Sequence, residues 1–182
     1  MQDDFDLSAL VSSKKKRKNS RTKGNTFERK VSAILNNHFN TTEFMRSPGS
    51  GAFSTTHKLP DHLKFSGDLI TPKSFRFIIE CKKGYNKENL GSTFNEKSDL
   101  LNFIKQAERD ASKIHKEFLI VFQQDRKDIL CIFDTKRNLS LTDKANLIDN
   151  LLITIGSERY ILCRLEELLS MTKAYNCDHL WL

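Results

Sequence analysis

Ser66-Gly67-Asp68-Leu69-Ile70, followed by Arg76-Phe77-Ile78-Ile79-Glu80-Cys81-Lys82-Lys83-Gly84, is the stretch whose reading decides the fold. The second segment alternates as a strand does. Arg76, Ile78, Glu80 and Lys82 point to one side, and Phe77, Ile79 and Cys81 to the other. Glu80 and Lys82 therefore stand side by side at the end of an apolar run. Asp68 lies twelve residues earlier on a short apolar segment that a tight turn can fold back against this strand as a hairpin. Two carboxylates supply hard oxygen ligands for Mg²⁺, and a lysine beside them can orient or deprotonate a water. A Glu-x-Lys tripeptide alone is common and reads equally as an exposed surface hairpin. The flanking chain has to decide between the two.

The chain has 182 residues and a net charge of +7. That length suits one domain with a proper core. No run of eighteen apolar residues is present, so no membrane-spanning helix is expected, and the acidic, mixed first ten residues do not read as a secretory signal. The four cysteines, Cys81, Cys131, Cys163 and Cys177, are scattered and form no CxxC. They read as thiols in a reducing compartment, not as a disulfide framework or a zinc site. Residues 14–23 hold seven basic residues and no acid, so the chain's excess charge belongs to one arm. Such a run is expected to stay unstructured without a partner. Nucleic acid is the expected partner, with a solubilising tail or a nuclear import signal as the alternatives.

Residues 1–23 are read as this flexible basic arm, and 24–182 as one domain with a core over 24–135 and a C-terminal extension over 136–182. Asn25 or Thr26 is available to cap a helix in which Phe27, Val31, Ile34 and Leu35 form an apolar stripe down to about Phe39. Glu28 sits in its first turn, at the edge of the buried face. Phe44 and Met45 suggest a short strand, and Pro48-Gly49-Ser50-Gly51 a turn. Arg46 and Ser50 are natural phosphate partners there. The following loop carries His57 and His62, read as surface residues.

Beyond the decisive stretch, residues 85–98 form a long polar connection of a length that usually serves function. Ser98 or Asp99 caps a helix whose apolar positions Leu100, Ile104, Ala107, Ala111 and Ile114 carry it to about Lys116. Phe118–Phe122 and Ile129–Phe133 are apolar runs, the first expected as a buried central strand. A short helix near Asp143–Asn150, strands over Leu151–Ile155 and Tyr160–Cys163, and a helix over Leu165–Met171 complete the chain. A helix between the Glu80 strand and the next apolar strand implies a crossover and a mixed, partly parallel sheet with helices on both faces.

The motifs Gly24-x-x-Phe27-Glu28-Arg29, Phe44-x-Arg46-x-x-Gly49-Ser50-Gly51, Gly67-Asp68-Leu69-Ile70 and Ile79-Glu80-Cys81-Lys82 occur in this order. Together they resemble the PD-(D/E)XK nuclease superfamily, in its archaeal-type Holliday-junction resolvase branch, with Gly67 in place of the usual proline. The similarity covers roughly residues 24–122. It implies an α/β fold with a restriction-endonuclease-like core, a central mixed sheet flanked by helices. Gln106 is a weaker match to a glutamine that some superfamily members carry in the helix after the lysine.

The resemblance also implies a Mg²⁺-dependent, structure-selective DNA endonuclease that cuts four-way junctions, with Mn²⁺ as an expected substitute. Asp68, Glu80, the Cys81 backbone carbonyl and Glu28 would hold the metal. Lys82 would position the attacking water and help remove its proton. Arg46, Ser50 and the arm residues Lys14, Lys15, Lys16, Arg17 and Lys18 would hold DNA. The products would be a 5′-phosphate and a 3′-hydroxyl. A homodimer is expected, acting in the cytoplasm of a bacterial or phage-infected cell, or in the nucleus of a eukaryotic host. The alternatives are a restriction-like or repair endonuclease on duplex DNA and a non-catalytic nucleic-acid-binding domain.

Overall fold

The computed structural model describes residues 20–48, 67–86 and 98–182. The arm residues Lys14–Lys18, the loop residues Ser50, His57 and His62, and most of the 85–98 connection therefore lie outside the described residues.

Helix α1 (Ser20–Phe39) starts five residues ahead of the expected cap at Asn25. Residues 20–23, read from sequence as part of the arm, form its first turn, and Thr26 Oγ1 donates back to the Thr22 carbonyl at 2.8 Å. Lysine and arginine are good helix formers, so a basic run does not by itself end a helix. The far end closes as the apolar stripe requires, with Asn40 in the left-handed region at φ 50°.

Two short strands, β1 (Met45–Arg46) and β2 (Leu69–Ile70), pair antiparallel with each other. The decisive strand is β3 (Phe77–Lys83). Helix α2 (Asp99–Ser112) follows, capped by the Ser98 side chain, which accepts from the Leu100 N–H. It ends four residues short of Lys116, and a turn with His115 at φ 55° leads into β4 (Glu117–Gln123). Then come β5 (Leu130–Asp134), α3 (Leu139–Ala145), β6 (Asn150–Ile155), β7 (Glu158–Arg164) and α4 (Leu165–Ala174). A 3₁₀ turn over Asp178–Trp181 closes the chain.

β3 to β7 form one mixed sheet in the order β3-β4-β5-β7-β6. β3 and β4 are parallel, joined through α2, with Glu80 opposite Ile120, and the remaining pairs are antiparallel. The alternation read in β3 sets the two faces. Phe77 and Ile79 pack with Leu119, Val121, Phe133 and Ile161 against α1, α3 and α4. Ile78 packs with Phe118, Ile120 and Ile132 against Ile104, Ala107 and Ala111 of α2. Full burial of such side chains is worth about 1.5–3 kcal/mol each, so a one-residue slip of β3 would invert both cores.

Residues 136–182, expected as an extension, supply two strands of this sheet and two helices on its α1 face. Trp181 is fully buried, lies parallel to Phe75 at 6.3 Å between ring centres, and donates from Nε1 to Thr172 Oγ1 at 3.2 Å. Its carbonyl accepts the Arg76 N–H at 2.9 Å, so the end of the chain fixes the start of β3. All four cysteines are free thiols; Cys131 and Cys163 face each other across β5 and β7.

Candidate active site

β3 is an edge strand of the five-stranded sheet. Its even-numbered main-chain groups turn towards β4, shown at the strand ends by the Glu117 N–H to Arg76 carbonyl and Gly84 N–H to Gln123 carbonyl bonds, both 3.0 Å. The odd-numbered groups face the open edge, and Asp68 docks there. The Asp68 N–H donates to the Ile79 carbonyl at 2.8 Å, and the Cys81 N–H donates to Asp68 Oδ2 at 2.8 Å. Ser47 holds the segment from behind, its N–H on the Asp68 carbonyl at 2.9 Å and its hydroxyl on the Gly67 carbonyl at 3.2 Å.

The hairpin expected between the Asp68 segment and β3 is thus replaced by a clasp. β2 pairs with β1, and it meets β3 through Asp68. Gly67 permits that approach. Its φ is +86°, and a Cβ there would lie 2.7 Å from the Ile79 carbonyl oxygen. Proline, locked near −65°, cannot adopt this backbone, which accounts for the departure from the usual motif. Gly67→Ala should cost about 1–2 kcal/mol for the left-handed conformation alone, plus the clash with Ile79. Thermal denaturation checks this: a clear fall in Tm is expected, and an unchanged Tm would contradict the clasp.

Glu80 and Lys82 share the α2 face of β3. Glu80 is only 5 % exposed, and Lys82 Nζ donates to its Oε2 at 3.1 Å. The Lys82 ammonium also sits 5.1 Å from the ring centre of Phe103 on α2, within cation–π range. Burial, then the Asp68 charge, push the Glu80 carboxyl up to about 7, against the pull of Lys82. Asp110 of α2 adds to the rise. Burial works to lower the Lys82 ammonium, but Glu80 and Asp68 outweigh it and hold Lys82 above its ordinary value. Lys82 is therefore a hydrogen-bond donor at neutral pH, which weighs against the expected share in removing a proton.

Glu28 comes from the opposite face, on α1. It is 6 % exposed and accepts from Arg46 Nε at 2.6 Å, while Arg46 Nη2 donates to Asn25 Oδ1 at 3.0 Å. Burial, then Asp68, Glu28 and Glu80, raise the Cys81 thiol well above its ordinary value, so all three carboxylates bear on this one point of β3. They do not converge into a closed cage. Among the described residues, no group of three His, Cys, Asp or Glu side chains is placed to hold a metal ion. The structure joins Asp68 to the Glu80–Lys82 strand, and Glu28 to Arg46; the expected phosphate ligand Ser50 and the basic arm lie outside the described residues.

Sequence reasoning missed Asn25, Phe103 and Asp110. Asn25 stands three residues before Glu28 on one helix face, a spacing that carries the signal once the helix is known to start at Ser20. Phe103 and Asp110 lie on α2, and no local pattern links them to β3.

A family model described as "Phage putative PDDEXK endonuclease" matches residues 19–178. The chain belongs to this family, and hence to the PD-(D/E)XK superfamily, whose restriction-endonuclease-like core the α/β architecture fits. Neither a curated protein nor a solved structure matches the chain. The donor chemistry fits the divalent metal such nucleases generally use. Asp68 and Glu80 offer carboxylate oxygens, and the Cys81 carbonyl shares the open edge with its N–H. A carboxyl raised to about 7 by burial and by the neighbouring Asp68 charge is one that a cation would restore to its charged form.

Proposed function

We propose that the chain is a Mg²⁺-dependent, structure-selective DNA endonuclease, a Holliday-junction resolvase, working as a homodimer in the cytoplasm of a phage-infected cell. The observation that carries the chemistry is the bond from the Cys81 N–H to Asp68, which sets two carboxylates and Lys82 together at the open edge of β3. The substrate reading is supported by the order of the Glu28, Arg46, Asp68 and Glu80-x-Lys82 motifs along the chain.

Asp68, Glu80 and the Cys81 carbonyl would hold the ion. When bound, it would stabilise charge on the scissile phosphate and lower the pKa of the attacking water. Lys82, held as an ammonium, would offer a donor to that water and to the charge developing on the phosphate. Glu28 and Asn25 fix Arg46, whose guanidinium has further N–H groups for the adjacent phosphate. Glu28 acts through Arg46 or through a water on the ion.

A pH dependence follows. The folded Glu80 carboxyl keeps its proton to about 7, whereas the ordinary value is 4.5. Between those values the native state binds more protons than the unfolded one, so metal-free stability falls as pH rises through that window. Metal binding must release this proton, so apparent Mg²⁺ affinity should rise with pH, by up to about tenfold per unit below pH 7, and level off above it. Thermal-shift titrations with Mg²⁺ at about pH 6 and pH 8 read this directly. Equal affinity at the two would remove Glu80 from the ion's ligands.

The test of function is cleavage of a four-way junction beside a linear duplex of the same sequence. A four-way junction has near two-fold symmetry, and each chain carries one Asp68–Glu80–Lys82 set, so paired nicks require two chains about a dyad. Equal cutting of both substrates would turn the assignment to a restriction-like or repair nuclease with the same chemistry.

A further inference from the structure

Lys83 follows Lys82 on β3, and strand alternation sends its side chain to the opposite, α1 face, where its ammonium lies 5.9 Å from the Phe27 ring centre. There it donates to Gln123 Oε1 at 3.1 Å and to the Gln124 carbonyl at 3.2 Å. It also reaches Asp125 of the β4–β5 turn at 3.7 Å, and Lys23 of α1 reaches the same carboxylate at 3.5 Å. Gln123 in turn donates to the Lys127 carbonyl at 2.6 Å. Gln123, Lys127 and Lys30 line a cavity of about 440 Å³ together with Glu166, Glu167, Asp128 and Arg164, the last two paired at 3.2 Å.

We infer that this surface, where α1 meets the β4–β5 turn, is a seat for the phosphate backbone of the DNA arm that leaves the active site, built from Lys23, Lys30, Lys83 and Lys127. This rests on the nuclease reading above and extends it to the flanking duplex. Three features point to DNA backbone. The seat begins at Lys83, next to Lys82 at the end of β3, so a duplex lying across that strand end would reach both faces. Its Lys23 end is the first turn of α1, which the basic run Lys14–Lys18 directly precedes in the chain. Its lysines outnumber the carboxylates left to them: Asp125 alone meets both Lys23 and Lys83, and of the three carboxylates lining the cavity Asp128 and Glu167 pair with Arg164, with Glu166 the remaining one.

Lys23, Lys30 and Lys127 are exposed, so replacing them leaves the core untouched. The test compares wild type, the triple variant K23Q/K30Q/K127Q, and the equally charge-depleted K113Q/K136Q/K173Q, whose exposed lysines lie elsewhere. Each is titrated against fluorescein-labelled DNA in EDTA over a range of salt, with circular dichroism to confirm folding. Each phosphate contact contributes about 0.9 to the slope of log K against log salt. The seat variant should therefore flatten the slope by about 2–3 and lose at least about tenfold in affinity at physiological salt, while the control variant keeps the wild-type slope. A seat variant with wild-type slope and affinity, or a control that loses as much, overturns the seat and leaves the nuclease reading standing. A wild-type protein that neither binds nor cuts DNA overturns both.

Discussion

Asp68→Asn and Glu80→Gln are each expected to abolish cleavage in Mg²⁺ while leaving a folded protein that still binds DNA. The reason lies in what each substitution keeps. An asparagine at 68 still presents an oxygen to the Cys81 N–H that now bonds Asp68 at 2.8 Å, so the clasp on β3 survives and only the charge is lost. A glutamine at 80 still accepts from Lys82 and fills the same nearly buried volume. It also removes the carboxylate whose ionisation burial and Asp68 oppose, so no loss of Tm from that source is expected at about pH 8. An ion held by two carboxylates and a carbonyl cannot lose half of that charge and keep its affinity. Rates should fall to background, and Mg²⁺ should not raise the Tm of either variant. Wild-type cleavage by either variant would show that the ion, or the chemistry, sits elsewhere.

Lys82→Ala carries the second-largest effect. Lys82 is fixed by Glu80 at 3.1 Å and by the Phe103 ring, and a preorganised donor aimed at an attacking water, as proposed for it, is worth about 10²–10³ in rate. Lys82 also counters the rise of the Glu80 carboxyl, so its loss lifts that carboxyl further and weakens Mg²⁺ binding. Single-turnover rates at saturating Mg²⁺ separate the two contributions: a fall of at least about 10² should persist there. Full recovery at high Mg²⁺ would reduce Lys82 to a tuner of Glu80.

How far the sequence carried depended on whether each feature was local. Glu80 and Lys82 were legible as neighbours because period-two alternation is a property of the strand itself, and the apolar residues Phe77, Ile78 and Ile79 before them match its two cores. The crossover through α2 was legible for the same reason, as a long periodic helix between two apolar runs. The partner of β2 was not. Two-residue strands such as Met45–Arg46 and Leu69–Ile70 carry no period, and nothing in them says that they pair with each other instead of with β3. The start of α1 was hidden by charge, since Lys23 is steadied by Asp125, 102 residues away. The short helix expected near Asp143–Asn150 falls at Leu139–Ala145, where Leu141 and Ala145 alone are buried and give too brief a stripe to place. Trp181, beyond the last element expected from sequence, is part of the core, because the aromatic pocket that receives it is assembled from Phe39 of α1, Phe75, and Phe77 of β3.

The site was legible in kind and only partly in arrangement. Asp68 and the Glu80–Lys82 pair meet as expected, although through a side chain-to-backbone bond that no pattern announces. Glu28 and Arg46, assigned separately to metal and phosphate, are bonded to each other across 18 residues. Acids and bases at a site compete for the same few partners, and sequence order does not say who pairs with whom.

The measurement that tests the central claim most directly maps the cuts on a four-way junction and on a linear duplex of the same sequence, with Mg²⁺ and with EDTA, while light scattering reports the oligomer. The account predicts a dimer that introduces paired, symmetry-related nicks near the branch point, leaves 5′-phosphates, spares the linear duplex, and is silent in EDTA. A strictly monomeric protein, or one that cuts the linear duplex as readily as the junction, would contradict the resolvase assignment, and undiminished cutting in EDTA would contradict the metal chemistry at Asp68 and Glu80.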